Sequence, residues 1–172
     1  YQARIVSAEK LGVAWLETRT AQEMALYPGI CRVAHDIIAE GFSSAVITPG
    51  VTTTDDVVWW FREKVRELKL TTWFHPTVSI QRQDAQKFDH LEAFSKRPEE
   101  NIIQAGDLLH VDFGITYLRL NTDTQQHAYV LKEGETDAPE FLKNALVKAN
   151  RLQDIFTANF AEGRTGNEIL KQ

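Results

Sequence analysis

The chain has 172 residues, enough for one well-buried domain, and its content of 43% hydrophobic and 25% charged residues is typical of a soluble globular protein. A net charge of -5 without a basic cluster argues against a nucleic-acid partner, and the lack of a long apolar run excludes a membrane span. The single cysteine, Cys31, excludes an internal disulfide and a thiolate-rich metal site.

Helical patterns dominate the first part of the chain. Thr20 and Glu23 have the spacing of a capping box, so a helix is predicted to begin there, with Pro28 kinking or restarting it. Thr52 and Asp55 repeat the cap signal and predict a second helix. The inner face of this second helix is expected to carry Val57, Val58, Phe61, Val65 and Leu68.

Strand patterns follow these helices. Residues 71–74 and 77–80 are rich in β-branched and aromatic residues and are predicted strands. Residues 83–104 are polar and irregular, and a connection of that length inside a compact domain usually has a function or is mobile.

Two alternating runs, 108–115 and 120–130, predict a hairpin that turns near 117–118. In that register Asp112 faces Asp123 on a polar face, while Leu109, Val111 and Phe113 point the other way. Opposed carboxylates repel each other, so a positive group is expected between them. The turn residues 117–119 include no glycine, which leaves a longer loop or a different register open.

The last part of the chain resembles a second copy of the first. A helix is predicted over 140–161, with Phe141, Leu142, Ala145, Leu146, Ala149, Leu152, Ile155 and Phe156 buried. Gly50-Val51-Thr52 with Asp55 recurs as Gly163-Arg164-Thr165 with Glu168. The chain starts without methionine and stops inside a new helical pattern, so we expect one half of a pseudo-symmetric domain and the beginning of the other.

The two aspartates are the strongest chemical signal. Carboxylates together with imidazoles suit Mn, Co, Fe or Zn, and a two-metal site needs a bridging carboxylate. The alternative is a solvated polar sheet face that carries two unrelated aspartates.

The run 106–114 (Gly-Asp-Leu-Leu-His-Val-Asp-Phe-Gly), followed by 121–124 (Asn-Thr-Asp-Thr), resembles the creatinase/aminopeptidase family with the pita-bread fold, which includes Xaa-Pro aminopeptidases and prolidases. The resemblance implies an α+β fold in which helices pack on one face of a curved, mostly antiparallel sheet. It covers residues 19–172, and residues 1–18 resemble the end of a preceding domain or a linker.

The resemblance also implies a metal site. Asp112 would chelate one of two divalent ions (Mn, Co, Fe or Zn), and Asp123 would bridge both. One histidine, two glutamates and the proton-shuttling glutamate would come from the second half, so no catalytic residue lies in this segment. His75 and His90 are the candidate substrate-binding residues; His110 and His127 are either partners of the ligands or ordinary hydrogen-bonded histidines.

The implied function is a metal-dependent exopeptidase of the Xaa-Pro aminopeptidase or dipeptidase type. A metal-bridging hydroxide would attack a peptide bond near the substrate's N-terminus, and this chain alone is expected to be inactive. The alternatives are a non-catalytic pita-bread module that binds peptides or proteins, and a creatinase-like hydrolase. We expect a peptide substrate, a homodimer in the full-length protein, and no nucleic-acid or membrane partner. The compartment is undetermined, with the cytoplasm favoured.

Overall fold

Helices come before and after a small antiparallel sheet in this computed structural model, which describes residues 5–83 and 101–171. The helices are α1 (Glu9–Glu17), α2 (Ala21–Gly41), α3 (Thr54–Glu67), α4 (Glu140–Ala158) and α5 (Gly166–Ile169). The strands are β1 (Thr77–Gln81), β2 (Leu108–Phe113), β3 (Thr116–Tyr117), β4 (Leu120–Asn121) and β5 (Thr124–Tyr129). The predicted α+β class is confirmed.

The main sheet has the strand order β1-β2-β5, and both pairs are antiparallel. β3 and β4 continue the hairpin beyond it as a separate two-stranded ladder. The predicted register is wrong, because Asp112 pairs with Gln125 rather than with Asp123. The cause is the turn: Leu118 and Arg119 both have positive φ, 48° and 66°, and form a two-residue connection one residue later than predicted.

The core lies between the apolar face of this sheet and helices α2 and α3. Leu109, Val111 and Phe113 of β2 are buried on that face, and the Phe113 ring lies 5.1 Å from the ring of Phe61 on α3. The two helices approach closely at Gly41, where a Cβ would lie 2.6 Å from Phe61. The alternation of β2 was therefore predicted correctly, because a shift of two residues leaves every side chain on the same face.

The helix N-termini follow their capping residues. The Thr20–Glu23 capping box is confirmed, and α2 then continues through Pro28 without restarting, since Ile30 behind the proline is buried in the core. The second predicted cap is wrong by one residue: Thr53 accepts from the Asp56 amide, and the Asp56 carboxylate accepts from the Thr53 amide. Leu68 is 46% exposed because the helix ends at Glu67, before that side chain turns inward.

Two further predictions need correction. Residues 71–74 form no strand; Thr71 makes one isolated bridge to Thr116, and the aromatic side chains that suggested a strand pack against each other instead. Helix α4 has no fully buried residue among those described: Phe141, Leu142 and Ala145 are half-buried, and the other predicted core residues (Leu146, Ala149, Leu152, Ile155 and Phe156) are exposed. Among the described residues, no helix has the length and apolar content needed to cross a membrane.

Candidate metal centre

The face of the main sheet opposite the core is polar across all three strands. Register places Thr77 of β1 beside Asp112, and Gln125 of β5 on its other side. One step along the strands, Ser79, His110 and His127 form the next row. The register of β2 and β5 places His110, Asp112, Gln125 and His127 on this face, and the sequence predicted this for Asp112. A strand over residues 77–80 was predicted, but its pairing with β2 was not.

Asp112 is in the middle strand of this face, and one of its oxygens is anomalous. Within the described part of the chain, Oδ1 is buried and has no hydrogen-bond partner. A buried carboxylate oxygen without a donor loses its hydration and gains nothing in return, which is costly unless a cation or another donor binds there. This oxygen therefore fits the requirement of a divalent-cation ligand.

Asp123 lies just outside the strands, in a break of the hairpin that separates β4 from β5. Its side chain is exposed, unlike that of Asp112. The Tyr27 hydroxyl of α2 donates to the carbonyl of Asn121 at 2.8 Å. Burial raises the pKa of Tyr27, with smaller raising contributions from Cys31 and Asp123 and an opposing one from Arg19.

The backbone before Asp123 is also held by Trp73, whose indole Nε1 donates to the Thr122 carbonyl at 2.7 Å. Neither Tyr27 nor Trp73 was predicted from the sequence to support the site. They lie 94 and 49 residues from their acceptors, and no local pattern signals a contact at such separations.

Of the two candidate substrate-binding residues, only His75 lies in the described part of the chain. His75 is exposed and lies two residues before Thr77, whose register partner is Asp112. His90 lies outside the described residues. The structure describes no group of three or more His, Cys, Asp or Glu side chains that could hold a metal ion by themselves.

The two other histidines of the polar face form a pair. The rings of His110 and His127 are 5.0 Å apart, and His110 Nε2 lies 3.0 Å from Gln125 Oε1. Partial desolvation and, to a lesser extent, the neighbouring His110 lower the pKa of His127. His127 also lines a groove of about 280 Å³ between this end of the sheet and α4, together with Leu108 and Tyr129.

An ion pair fixes the start of β2, five residues before Asp112. Asp107 is fully buried and accepts from Arg82 Nε at 2.7 Å and from Arg82 Nη2 at 2.8 Å. It also accepts from the backbone amide of Gln104 at 2.7 Å. Arg82 donates in addition to the carbonyl of Ile102. The end of β1 and the approach to β2 are thereby joined by charge-assisted hydrogen bonds.

Comparisons with known proteins point to one family. The profile of Metallopeptidase family M24 matches residues 29–172, whereas a comparison with curated proteins found no significant match. The crystal structure of X-Pro aminopeptidase from Thermotoga maritima MSB8 is similar with a TM-score of 0.62 and 14% identity, over 88% of this chain and 39% of that one. The crystal structure of recombinant prolidase from Thermococcus sibiricus is similar with a TM-score of 0.60 and 14% identity, over 86% of this chain and 37% of that one.

A dipeptidase from Pyrococcus horikoshii OT3 gives a TM-score of 0.52 with 20% identity, over 86% of this chain and 36% of that one. The chain thus spans well under half the length of these three structures, and it shares their fold over most of its own length. The predicted pita-bread fold is confirmed, and the chain corresponds to a fragment of the catalytic domain. The chain belongs to metallopeptidase family M24.

Proposed function

We propose that this chain supplies the first ligands of a divalent-metal centre in an exopeptidase of the Xaa-Pro aminopeptidase or prolidase type. Asp112 would bind one of two ions, and Asp123 would bridge them. The observation that carries the proposal is Oδ1 of Asp112, which is buried on the polar face of the sheet and has no hydrogen-bond partner among residues 5–83 and 101–171. Membership in a metallopeptidase family and the likeness to an X-Pro aminopeptidase and a prolidase support it.

The bound ions, Mn, Co, Fe or Zn, would supply Lewis-acid activation of the scissile carbonyl and of water. The residues of this chain would hold the ions in place. Asp112 lies on β2, which is paired on both sides, and Asp123 is exposed, so a second ligand-bearing segment can reach it. The remaining histidine and two glutamates, and the proton-shuttling glutamate, would come from the other half of the domain.

The substrate side of the proposal involves His75 and His90. His75 is exposed close to the sheet position of Asp112, where it could donate to a carbonyl of a bound peptide. His90 stays a proposal from the sequence. Both would orient the peptide and leave the hydrolysis to the metal centre.

Metal binding tests the ligand assignment. The chain is expected to bind Mn²⁺ weakly, because it offers two of five ligands, and binding should be lost in Asp112→Asn and Asp123→Asn. Asp36→Asn, which changes an exposed aspartate on α2, is the matched control and should bind as the wild type does. Equilibrium dialysis measures all four. Undiminished binding in either site variant would contradict the assignment.

Peptidase assays test the reaction. The 172-residue chain should not cleave an Xaa-Pro dipeptide, whereas a longer form that contains the second half should, and a chelator should abolish that cleavage. Turnover by the chain alone would contradict the proposal. Peptide binding without cleavage by the longer form would favour a binding module, and chelator-resistant hydrolysis would favour a creatinase-like enzyme.

A further inference from the structure

The hairpin departs from a regular ladder immediately before Asp123. Thr122 donates its amide to the Ile115 carbonyl at 2.9 Å, as a regular antiparallel pair requires. The return bond is different, because the Ile115 amide donates to the Thr122 hydroxyl at 3.1 Å instead of to the Thr122 carbonyl. The hydroxyl of a buried threonine has taken the place of a backbone acceptor.

The displaced carbonyl of Thr122 has a new partner, the Trp73 indole N–H. Gly114 makes room for this arrangement. A Cβ at Gly114 would lie 2.3 Å from the Thr122 carbonyl oxygen and 2.6 Å from Trp73 Nε1, both impossible distances. The absence of a side chain at Gly114, the hydroxyl of Thr122 and the indole of Trp73 therefore act on the same peptide group.

That peptide group joins Thr122 to Asp123. A peptide is planar, so the direction of the Thr122 carbonyl fixes the opposite direction of the Asp123 amide and, with it, restricts where the Asp123 side chain can leave the backbone. The Tyr27 hydroxyl holds the preceding carbonyl, that of Asn121. Two successive carbonyls before one aspartate are thus bound by side chains from two other segments.

We propose that Trp73 and Tyr27 are positioning residues for Asp123, which hold its backbone in the orientation that metal binding needs. This inference rests on the proposed function, since it assigns Asp123 the role of a metal ligand. Partners that orient a ligand, without touching the metal, typically contribute a factor of about 10–100 to metal affinity. The sequence offers nothing that would assign this role to Trp73.

Trp73→Phe tests the inference, because it removes the indole N–H and keeps an aromatic ring. The matched control is Trp59→Phe, a change at a tryptophan that is exposed on α3. Mn²⁺ titrations of the 172-residue chain, followed by the electron paramagnetic resonance signal of free Mn²⁺, give the dissociation constants. Trp73→Phe should raise the constant about tenfold, by analogy with other ligand-orienting partners, and Trp59→Phe should leave it unchanged.

A second readout separates positioning from general stability. In metal-free protein at a temperature where every variant is folded, the amide ¹H–¹⁵N resonance of Asp123 should shift in Trp73→Phe and stay in place in Trp59→Phe. Tyr27→Phe, which deletes only a hydroxyl, is the second variant should Trp73→Phe fail to fold. It should weaken Mn²⁺ binding in the same direction.

The outcomes distinguish the inference from the function on which it rests. If the wild-type chain binds no Mn²⁺, the proposed function is overturned and the inference with it. If the wild type binds Mn²⁺, Asp123→Asn does not, and folded Trp73→Phe and Tyr27→Phe both bind as tightly as the wild type, the inference alone is overturned.

Discussion

Replacing Asp107 by alanine removes a buried carboxylate that three donors share. Its oxygens accept from Arg82 Nε, Arg82 Nη2 and the Gln104 amide, and its side chain is 1% exposed. Asp107→Ala would leave the Gln104 amide without this acceptor and would take from Arg82 its buried counter-charge. We therefore expect a large loss of stability, without a change to the polar face of the main sheet that carries Asp112.

The size of the loss follows from the burial of the two partners. Removing one partner of a fully buried ion pair costs about 3–5 kcal/mol of unfolding free energy. Arg82 is 33% exposed and keeps its bond to the Ile102 carbonyl, so water and that carbonyl compensate for part of the loss. The expected cost is therefore at the lower end, about 3 kcal/mol, which corresponds to a fall in Tm of about 6–12 °C for a chain of this size.

Thermal unfolding followed by circular dichroism measures this fall. Asp137→Ala is the control, because Asp137 is an exposed carboxylate whose bond to Lys143, at 2.9 Å, lies in solvent. The control should unfold at the wild-type temperature. If Asp107→Ala lowered Tm no more than the control, the buried pair would have no net stabilising effect and the reasoning would be wrong.

Three further changes test local features of the fold. Leu118→Asn combined with Arg119→Gly should stabilise the chain by about 1 kcal/mol in urea unfolding, because both positions have positive φ. Gly134→Ala places a side chain at a glycine with φ 83° and should destabilise the chain by about the same amount. Thr53→Ala should cost about 1 kcal/mol, because it deletes the N-cap of α3; an unchanged urea midpoint would refute the cap assignment. The backbone amide and hydroxyl of Thr53 lower the pKa of Asp56 below its usual 3.8. The stabilising effect of these hydrogen bonds to the Asp56 carboxylate is therefore fully present above pH 3.8 and is lost as the pH falls through the lowered pKa. The stability of Thr53→Ala should consequently decline less steeply in acid than that of the wild type, as pH-dependent urea unfolding would measure.

The faces of the strands could be predicted, but their register could not. Alternation of apolar and polar residues places Leu109 in the core and Asp112 opposite it whatever the turn does. The register depends on which residues have positive φ, and Leu118 and Arg119 are residue types that rarely adopt it, so the sequence does not indicate the turn. The cap of α3 was misplaced by one residue for a similar reason: the adjacent residues Thr52 and Thr53 both have a hydroxyl that can cap a helix, and the sequence does not distinguish them.

Tertiary contacts set the remaining limits. The amphipathic pattern of α4 predicts a face that needs a cover, but a pattern cannot say which segment supplies it. Asp112 was identified from its place in a motif, but that its Oδ1 lacks a hydrogen-bond partner in the described part of the chain is visible only in the assembled strands. Trp73 was predicted to lie in a strand because aromatic residues favour strands. In the structure its indole N–H instead donates to the backbone carbonyl of Thr122, a long-range contact that the local sequence does not indicate.

The bonds from Tyr27 and Trp73 also carry a consequence for the order of folding. The hairpin strands are joined by a two-residue turn and can pair early, because closing a short loop costs little entropy. The contacts that hold Asn121 and Thr122 span 94 and 49 residues, so they form only when α2 and the segment before β1 have docked. We therefore expect the strands to pair before the geometry around Asp123 is set, so that a partly folded chain would contain the hairpin without an oriented Asp123.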